Sequence, residues 1–334
     1  MQPHAIRWLA LAAAPAALLI GSIADASPTV PPAPAAAPLP APALLDPAAA
    51  EILALEADRN RRMTIPVRID GSGPFDFMID TGSQATAVTR EIHAQLGLPP
   101  AGTATLVGMA SRRAVELVEV ARLDIGSHTI TDFTAPVLER EHVGADGIVG
   151  LDSLQDFRVM IDFREQTIAL EDMRDKQPNQ RGFEIVVRAR QRLGQLLITD
   201  AVVEGIRATV IIDTGAQASL ANNALRERIR TKRAAEVTTT DVNGVDLVGQ
   251  MSLMRTLTVG GLSLTNVPLT FADAPAFEAL GLTDTPTLSL GMQHLALFDR
   301  VAIDFANRRV MFDVPRDVAQ ALRRQRIRGF HAPL

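Results

Sequence analysis

FMIDTGS (residues 77–83) and VIIDTGA (residues 210–216) share one pattern, an apolar run that ends in Asp-Thr-Gly. An Asp at the end of a buried strand, followed by Thr-Gly, predicts a tight turn with a carboxylate at its tip. A single copy would be an ordinary turn. Two copies can bring Asp80 and Asp213 together, and paired carboxyl groups can activate water without a metal, a cofactor or a nucleophilic side chain.

Each motif belongs to a longer repeat. Both repeats predict, in the same order, a strand, a turn, a strand with the motif, a short helix, a hairpin, an apolar-apolar-Gly element and a closing strand pair. In the first repeat these are 64–69, 70–74, 75–83, 90–96, 103–120, 147–150 and 159–170. In the second they are 196–203, 204–205, 206–216, 223–230, 237–253, 288–291 and 301–312. The pattern predicts two mostly-β units of similar topology with short helices.

The rest of the chain predicts the domain boundaries. Residues 1–26 have Arg7, an apolar segment and Ala24-Asp25-Ala26, which is typical of a cleaved secretory signal; an uncleaved anchor is the alternative. Residues 27–50 are an Ala/Pro-rich tether. The first unit is predicted at 51–172, beginning with a short helix within 51–62, the linker at 173–182, the second unit at 183–315, and a basic tail at 316–334. Because of the predicted signal at 1–26, the expected location of the protein is the periplasm or outside the cell.

The composition of the chain excludes several classes of functional site. The chain has 334 residues, 47% of them hydrophobic and 21% charged, with a net charge of −5, which does not suggest a nucleic-acid partner. It has no Cys, which excludes thiolate nucleophiles, disulfides and Cys-ligated metals. The six His residues show no ligand spacing, so we expect no metal and no cofactor. Membrane contact is expected only through the N-terminal segment or the basic tail.

The loops themselves predict how the pair would work. Gly82 and Gly215 leave backbone amides free to bond the carboxylates, while Thr81 and Thr214 are placed to bond across a pseudo-two-fold axis. The two loops differ at their fourth position. Ser83 can donate a hydrogen bond to its Asp, whereas Ala216 cannot. Since a hydrogen bond to the charged form lowers a pKa, we expect Asp80 to be the more ionised partner.

The motifs and elements together resemble the retropepsin-like aspartic proteases, in an exported form with two units fused in one chain. The resemblance covers about 62–314 and rests on both Asp-Thr-Gly-Ser/Ala loops with 148–150 and 289–291. It implies a bilobal acid-protease fold of the retropepsin/pepsin type, with Asp80 and Asp213 as the catalytic dyad. It also implies flaps at 102–118 and 239–253 that close over an extended polypeptide. The expected flap residues are Gly108, Met109, Asn243, Gly244 and Val245, with Met109 or Val245 at a tip.

The function expected is hydrolysis of peptide bonds in extended polypeptides by a monomer that acts as an internal pseudo-dimer. Two alternatives stay open. One is a catalytically inactive peptide-binding module with the same fold. The other is an obligate homodimer in which each site is built from like units.

Overall fold

The structure is a computed structural model that describes residues 7–9, 13–14, 64–174, 183–229, 234–316 and 318. The chain divides into two compact parts. One consists of Met1–Pro15 with Arg62–Leu334 and contains both repeats; the other is Ala16–Arg61, which lies outside the described residues. The predicted cleavage site, the tether, the helix within 51–62, most of the linker and nearly all of the basic tail also lie outside them. In the described part of the chain, no helix has the length and apolar character needed to cross a membrane.

The first repeat forms mostly strands. Two short strands near the N-terminus precede it, β1 (Arg7–Leu9) and β2 (Ala13–Ala14). The repeat then consists of β3 (Thr64–Ile69), β4 (Ser72–Ile79), β5 (Ala87–Thr89), α1 (Arg90–Leu96), β6 (Pro100–Val107), β7 (Arg112–Ile125), β8 (His128–Leu138), α2 (Arg140–Val143), β9 (Gly147–Val149), α3 (Leu151–Leu154), β10 (Phe157–Asp162) and β11 (Thr167–Asp172).

The second repeat follows the same order after two added strands. It consists of β12 (Ile185–Arg188), β13 (Arg190–Arg192), β14 (Gln195–Val203), β15 (Ile206–Ile212), β16 (Leu220–Ala221), α4 (Asn223–Arg226), β17 (Ala235–Asp241), β18 (Asp246–Val259), β19 (Leu262–Phe271), α5 (Pro275–Ala279), β20 (Thr287–Leu290), α6 (Met292–Leu295), β21 (Arg300–Asp304) and β22 (Arg309–Asp313). The predicted strands and hairpins are confirmed. The helix predicted at 223–230 is shorter than predicted. It ends at Arg226, and the amides of Arg228 and Ile229 donate to carbonyl groups three residues back, so the chain continues as turns.

Each unit is built around one strongly bent sheet. In the first unit the strand order is β1-β6-β7-β3-β4-β9-β5-β8, and β7 also pairs with β8, which closes the sheet on itself. In the second unit the order is β13-β14-β15-β20-β16-β19-β18-β17-β2, with β14 also pairing with β18. Alternation in β3 turns Ile65, Val67 and Ile69 into the core, as a half-buried strand requires. The architecture is a mostly-β, pseudo-symmetric pair of units.

A third sheet joins the two units. Its order is β11-β10-β21-β22-β12, so β10 of the first unit pairs antiparallel with β21 of the second. At this junction Arg158 donates to Asp304 Oδ2 at 2.8 Å, and both side chains are buried. The two units are therefore joined by backbone hydrogen bonds of one shared sheet. They also share an apolar core, which includes Phe77 and Phe312.

Two long hairpins project from the units and are the elements predicted as flaps. The first flap is β6 and β7 with the turn 108–111, and the second flap is β17 and β18 with the turn 242–245. The outer strand of each flap carries an added short strand: β1 pairs parallel with β6, and β2 pairs antiparallel with β17. The flap edges therefore accept an extended segment through main-chain pairing.

Candidate active site

The two Asp-Thr-Gly loops occupy equivalent places in the two units. Asp80 follows β4, which pairs parallel with β9, and Asp213 follows β15, which pairs parallel with β20. The amide of Asp80 donates to the carbonyl of Val149 and that of Asp213 to the carbonyl of Leu290, both at 3.1 Å. The apolar-apolar-Gly elements thus support the loops from behind. This explains why the motif and the element recur together in the sequence.

Backbone amides hold both carboxyl groups in the same way. Asp80 Oδ1 accepts from the amides two and three residues later, at 2.8 and 3.0 Å. Asp213 Oδ1 accepts from the equivalent amides at 3.1 and 3.0 Å. Both aspartates have 0% relative exposure. Each carboxyl group is therefore buried and oriented by its own turn, which donates to its charged form.

Thr81 and Thr214 link the loops across the seam between the units. Thr81 Oγ1 donates to the carbonyl of Ile212 at 2.8 Å, and Thr214 Oγ1 donates to the carbonyl of Ile79 at 2.7 Å. Each hydroxyl also accepts from the other threonine's amide, at 3.2 and 3.0 Å. The four bonds are reciprocal and buried. They bring together residues that lie 133 positions apart in the chain.

The carboxyl groups of Asp80 and Asp213 lie close enough for the charge of one to affect the ionisation of the other. The backbone of Gly215 packs so closely on the Asp80 carboxyl group that any Cβ there would overlap it. Burial, together with the negative charge of Asp80, raises the pKa of Asp213 well above its ordinary value. Two carboxyl groups in such a site cannot both be ionised at little cost, so they share one proton and titrate as a pair.

The expectation for Ser83 is wrong. Its hydroxyl donates to the carbonyl of Ala85 at 2.9 Å, not to Asp80. A serine that the sequence analysis had not placed at the site makes the corresponding bond in the other unit: Ser289 Oγ donates to Asp213 Oδ2 at 2.8 Å. The sequence signal was present, because Ser289 is the polar residue in an element that is otherwise apolar. Its partner could not be read without the pairing of β15 with β20.

Hydroxyl groups also tie each loop to the glycine of its supporting element. Thr86 Oγ1 accepts from the amide of Gly150 at 3.1 Å, and Ser219 Oγ accepts from the amide of Gly291 at 2.9 Å. Side chains at these glycines would overlap the backbone of the loop ahead of them. Close packing of the loop on this glycine is therefore the reason that the element ends in Gly.

The flap tips pack into the opposite units. Met109 of the first flap is 3% exposed and belongs to an apolar cluster of the second unit with Ile211 and Phe277. In the second flap the buried tip residue is Val242, at 1% exposure, in a cluster of the first unit with Met78. Met109 lies in the turn of its hairpin, at the position where the sequence analysis expected a tip residue.

Val245, the alternative tip residue, is the last residue of the turn and is 40% exposed. The burial of Val242 could not be predicted from the local sequence, since it depends on Met78 and other residues of the first unit that lie far away along the chain.

The other predicted flap residues lie where the two tips meet. Gly108 packs against the carboxyl group of Asp241, and Asn243 Nδ2 donates to Ser111 Oγ at 2.9 Å. Gly244 has φ of 74° and packs on the ring of His142, so a side chain there would be strained and would also overlap. The structure thus brings Gly108 of the first flap and Asn243 of the second flap to the same contact between the turns.

Asp241, which the sequence analysis did not name, connects the flaps. It is 1% exposed. Its Oδ2 atom accepts from Ala110 N at 3.1 Å and Ser111 Oγ at 2.7 Å, across the contact between the flaps. Its Oδ1 atom accepts from the amides of Asn243 and Val245 in its own turn, at 2.9 and 3.0 Å. One carboxyl group therefore orders both turns and joins them.

A metal centre finds no support in the described residues: 64–174, 183–229 and 234–316 contain no group of three or more His, Asp or Glu side chains placed to hold an ion. The chemistry available at the seam is that of two coupled carboxyl groups, with backbone donors around them.

Comparison with known proteins bears on the family. A family model described as aspartyl protease matches residues 65–153 and 199–294, together more than half of the 334 residues. One similar solved structure is a retropepsin-like aspartic protease from Rickettsia conorii. It is 17% identical, has a TM-score of 0.28, and the match covers 39% of this chain and 88% of that chain. A comparison with curated proteins found no match. Because the family model matches both repeats, each across its Asp-Thr-Gly loop and its supporting element, the chain belongs to the aspartyl protease family and carries the family pattern twice.

Proposed function

We propose that the chain is an aspartic endopeptidase that cleaves extended polypeptides, with Asp80 and Asp213 as its catalytic dyad. The observation that carries the proposal is the mirrored pair of buried carboxyl groups, each held by two amides of its own loop and coupled to the other across the seam. Such a pair holds an acid and a base side by side at the same pH.

The reaction uses the shared proton. The ionised carboxyl group removes a proton from water as the water oxygen bonds to the peptide carbonyl carbon, and the other carboxyl group gives its proton to the carbonyl oxygen. The carbonyl π electrons move to that oxygen, which produces a tetrahedral diol. When the diol collapses, the carbon–nitrogen bond breaks and the amine nitrogen takes the proton that the first carboxyl group received from water. The other carboxyl group, now ionised, takes a proton from a diol hydroxyl as that oxygen forms the new carbonyl group. Both products then leave with the dyad again holding one proton.

The flaps support an extended substrate. Each outer strand, β6 or β17, pairs with one short added strand, β1 or β2. The main-chain groups of these edges are therefore oriented for strand addition, which is the mode by which extended peptides bind to sheet edges. The apolar clusters around Met109 and Val242 lie beside the loops and suit apolar side chains on either side of the bond to be cleaved. Preference for such side chains follows from burial of apolar surface.

The decisive experiment is digestion of a denatured protein and of a peptide library by wild type, Asp80→Asn and Asp213→Asn. We expect cleavage by wild type and a loss of at least about 10³-fold in each variant, since the dyad works as one unit. Asp132→Asn is the matched control: Asp132 is exposed and has φ of 56°, which Asn tolerates, so activity should be retained. Equal cleavage by wild type and both dyad variants would overturn the assignment.

The peptide-binding module is the second candidate, and one observation favours it. Met109 and Val242 fill the apolar clusters next to the dyad, so the flaps are closed on each other in this structure. Binding of library peptides by wild type without cleavage at any pH from about 3 to 8 would support the module.

We further propose an exported monomer. Sedimentation of active protein tests the monomer against the obligate homodimer, and fractionation with N-terminal sequencing of the mature chain tests export and signal removal. Activity confined to a dimer, or an intact N-terminus in the cytosol, would contradict the respective proposal.

A further inference from the structure

The N-terminal segment (residues 7–14) contacts both flaps. Its strand β1 pairs parallel with β6, where Leu9 lies opposite Val107. Its strand β2 pairs antiparallel with β17, where Ala13 lies opposite Asp241. At no more than about 3.6 Å per residue, the four steps from Leu9 to Ala13 span at most about 14 Å. One stretch of eight residues therefore reaches the outer strands of both flaps, close to their turns.

The two directions of pairing are those that a peptide lying across both flaps must have. β6 and β17 are equivalent strands of the two repeats. A two-fold axis reverses the direction of a strand that lies across it, so a peptide that runs parallel to one of these strands runs antiparallel to the other. The N-terminal segment does so. It therefore binds to the two edges with the polarity of one extended polypeptide.

The turn of the first flap shows which amides β1 covers. Gly108 N donates to Ser111 O at 2.8 Å. Because successive amides of a strand point to opposite sides, the amide of Leu106 faces β7, while those of Thr105 and Val107 face the outer edge. β6 lies between β7 and β1, so β1 occupies that edge. A peptide substrate therefore cannot pair with this part of β6 while β1 does.

The second flap is covered in the same way. Asp241 N donates to Val245 O within the turn at 2.9 Å, so the amide of Thr240 points away from β18 and toward β2. β17 lies between β18 and β2, so its outer edge is also occupied. Ala14 lies opposite Thr240. In this antiparallel pair the amide of Ala14 therefore points to β17, and the amide of Ala13 points away from it.

In the first flap the register assigns the corresponding role to Trp8. In a parallel ladder, a residue that faces its partner strand bonds to the two neighbours of the residue opposite. Trp8 lies opposite Leu106, between the two amides of β6 that face outward. The main-chain groups of Trp8 therefore point to β6, and the amide of Leu9 points away from it.

We propose that residues 7–14 are an internal pseudosubstrate: while they are present, they occupy the peptide-binding edges of both flaps and exclude substrate from them. The inference rests on the proposed function, in which substrate pairs with the same edges. The segment lies within 1–26, the predicted secretory signal. Removal of 1–26 would free both edges at once, so that full proteolytic activity begins only after export.

The test compares two double variants of the full-length chain, whose intact N-terminus is verified by mass spectrometry. The edge variant, Trp8→Pro with Ala14→Pro, removes the two amides that face the flaps. The matched control is Leu9→Pro with Ala13→Pro, because its prolines replace amides that face away from the flaps, where an edge strand tolerates Pro. Both variants replace one large and one small side chain, and circular dichroism confirms that each is folded.

Amide hydrogen exchange is the first readout, and it needs no activity. In the edge variant, exchange at Thr105, Val107 and Thr240 should rise about tenfold or more, because these amides lose the strand that covers them. The amide of Leu106 faces β7 and should keep its protection. In the matched control all four amides should exchange as in wild type. Exchange at the three edge amides that is the same in wild type and in both variants would overturn the proposal.

Peptide cleavage is the second readout. Full-length wild type should cleave slowly, kcat/KM should rise about tenfold or more in the edge variant, and it should change less than about twofold in the matched control. Faster exchange in the edge variant without a gain in either cleavage or binding of peptides would overturn the proposal. If no form of the chain cleaves any peptide, the proposed function fails, while hydrogen exchange and the binding of uncleaved peptides still decide whether residues 7–14 exclude peptides from the flap edges.

Discussion

Replacing Asp241 by Ala should release the flaps from each other. Its carboxyl group accepts one amide and one hydroxyl of the first flap, at 3.1 and 2.7 Å, and it is buried where the turns meet. A hydrogen bond to a charged group contributes about 1.5–3 kcal/mol net. Loss of both should therefore weaken the closed arrangement by about 3–6 kcal/mol, which is a factor of about 10²–10⁴ in the ratio of closed to open flaps.

Apolar burial opposes complete opening. Met109 and Val242 remain buried in the opposite units, and burial of each side chain contributes about 1.5–3 kcal/mol. We therefore expect the flaps of Asp241→Ala to stay mostly closed but to open far more often. Amide hydrogen exchange of residues 108–111 measures this directly, and their protection should fall by about 10²–10⁴. Faster binding of a peptide substrate should accompany the change, because entry requires open flaps.

Asp246→Ala is the matched control. Asp246 lies on the same flap and loses the same charge, but it is exposed and accepts from Thr240 within its own hairpin, at 2.7 Å. Protection at 108–111 should change less than about threefold in this variant, since an exposed bond of this kind contributes little. The role of Asp241 in holding the flaps together is refuted if the two variants exchange alike, or if exchange in Asp241→Ala matches wild type.

Three further predictions concern the seam and the shared sheet. Thr214→Val leaves a buried amide and a buried carbonyl of the first unit without partners, so urea unfolding should show a loss of about 2–6 kcal/mol that Thr214→Ser largely avoids. Arg158→Met removes the cation that pairs with the buried carboxylate of Asp304, so the free energy of unfolding in urea should fall by about 3–5 kcal/mol. The exposed Arg122→Met should lower it by less than about 1 kcal/mol. Asp213 has a raised pKa, so its contribution to stability is present below about pH 4 and is lost as the pH rises through its pKa in the folded state. Asp213→Asn should therefore have a higher melting temperature than wild type at pH 7, and this difference should disappear below about pH 4. A difference in melting temperature that does not depend on pH would contradict the prediction.

Local signals account for what the sequence predicted correctly. Strand alternation at 64–69, the helix at 90–96 and the turn between 107 and 112 depend on neighbouring residues, and all three are found. The repeat extended these signals, because a pattern found twice in the same order is best explained by two units of like topology. The fold class and the proximity of Asp80 and Asp213 followed from that symmetry.

Contacts between distant segments account for what the sequence could not predict. A serine hydroxyl at the fourth position of a loop can reach the carboxylate or a nearby carbonyl, and for Ser83 the turn geometry selects the carbonyl of Ala85. The burial of Val242 and the bonds of Asp241 both depend on where one flap meets the other. No spacing within one hairpin carries that information, so composition and periodicity could place the flaps but not their contact.

Fusion of the units explains how the site can be symmetric in backbone and unequal in side chains. In a homodimer, any substitution near one aspartate appears near the other, so a donor such as Ser289 would act on both carboxyl groups and distinguish neither. In a single chain the two positions are encoded separately, and Ile148 can keep the apolar side chain that its cluster requires. The helices behind the loops differ in the same way, since Ser153 of the first unit corresponds to His294 of the second, each bonded to a loop hydroxyl. Separate encoding thus permits the surroundings of the two carboxyl groups to differ without disturbing the threonine bonds that hold the loops together.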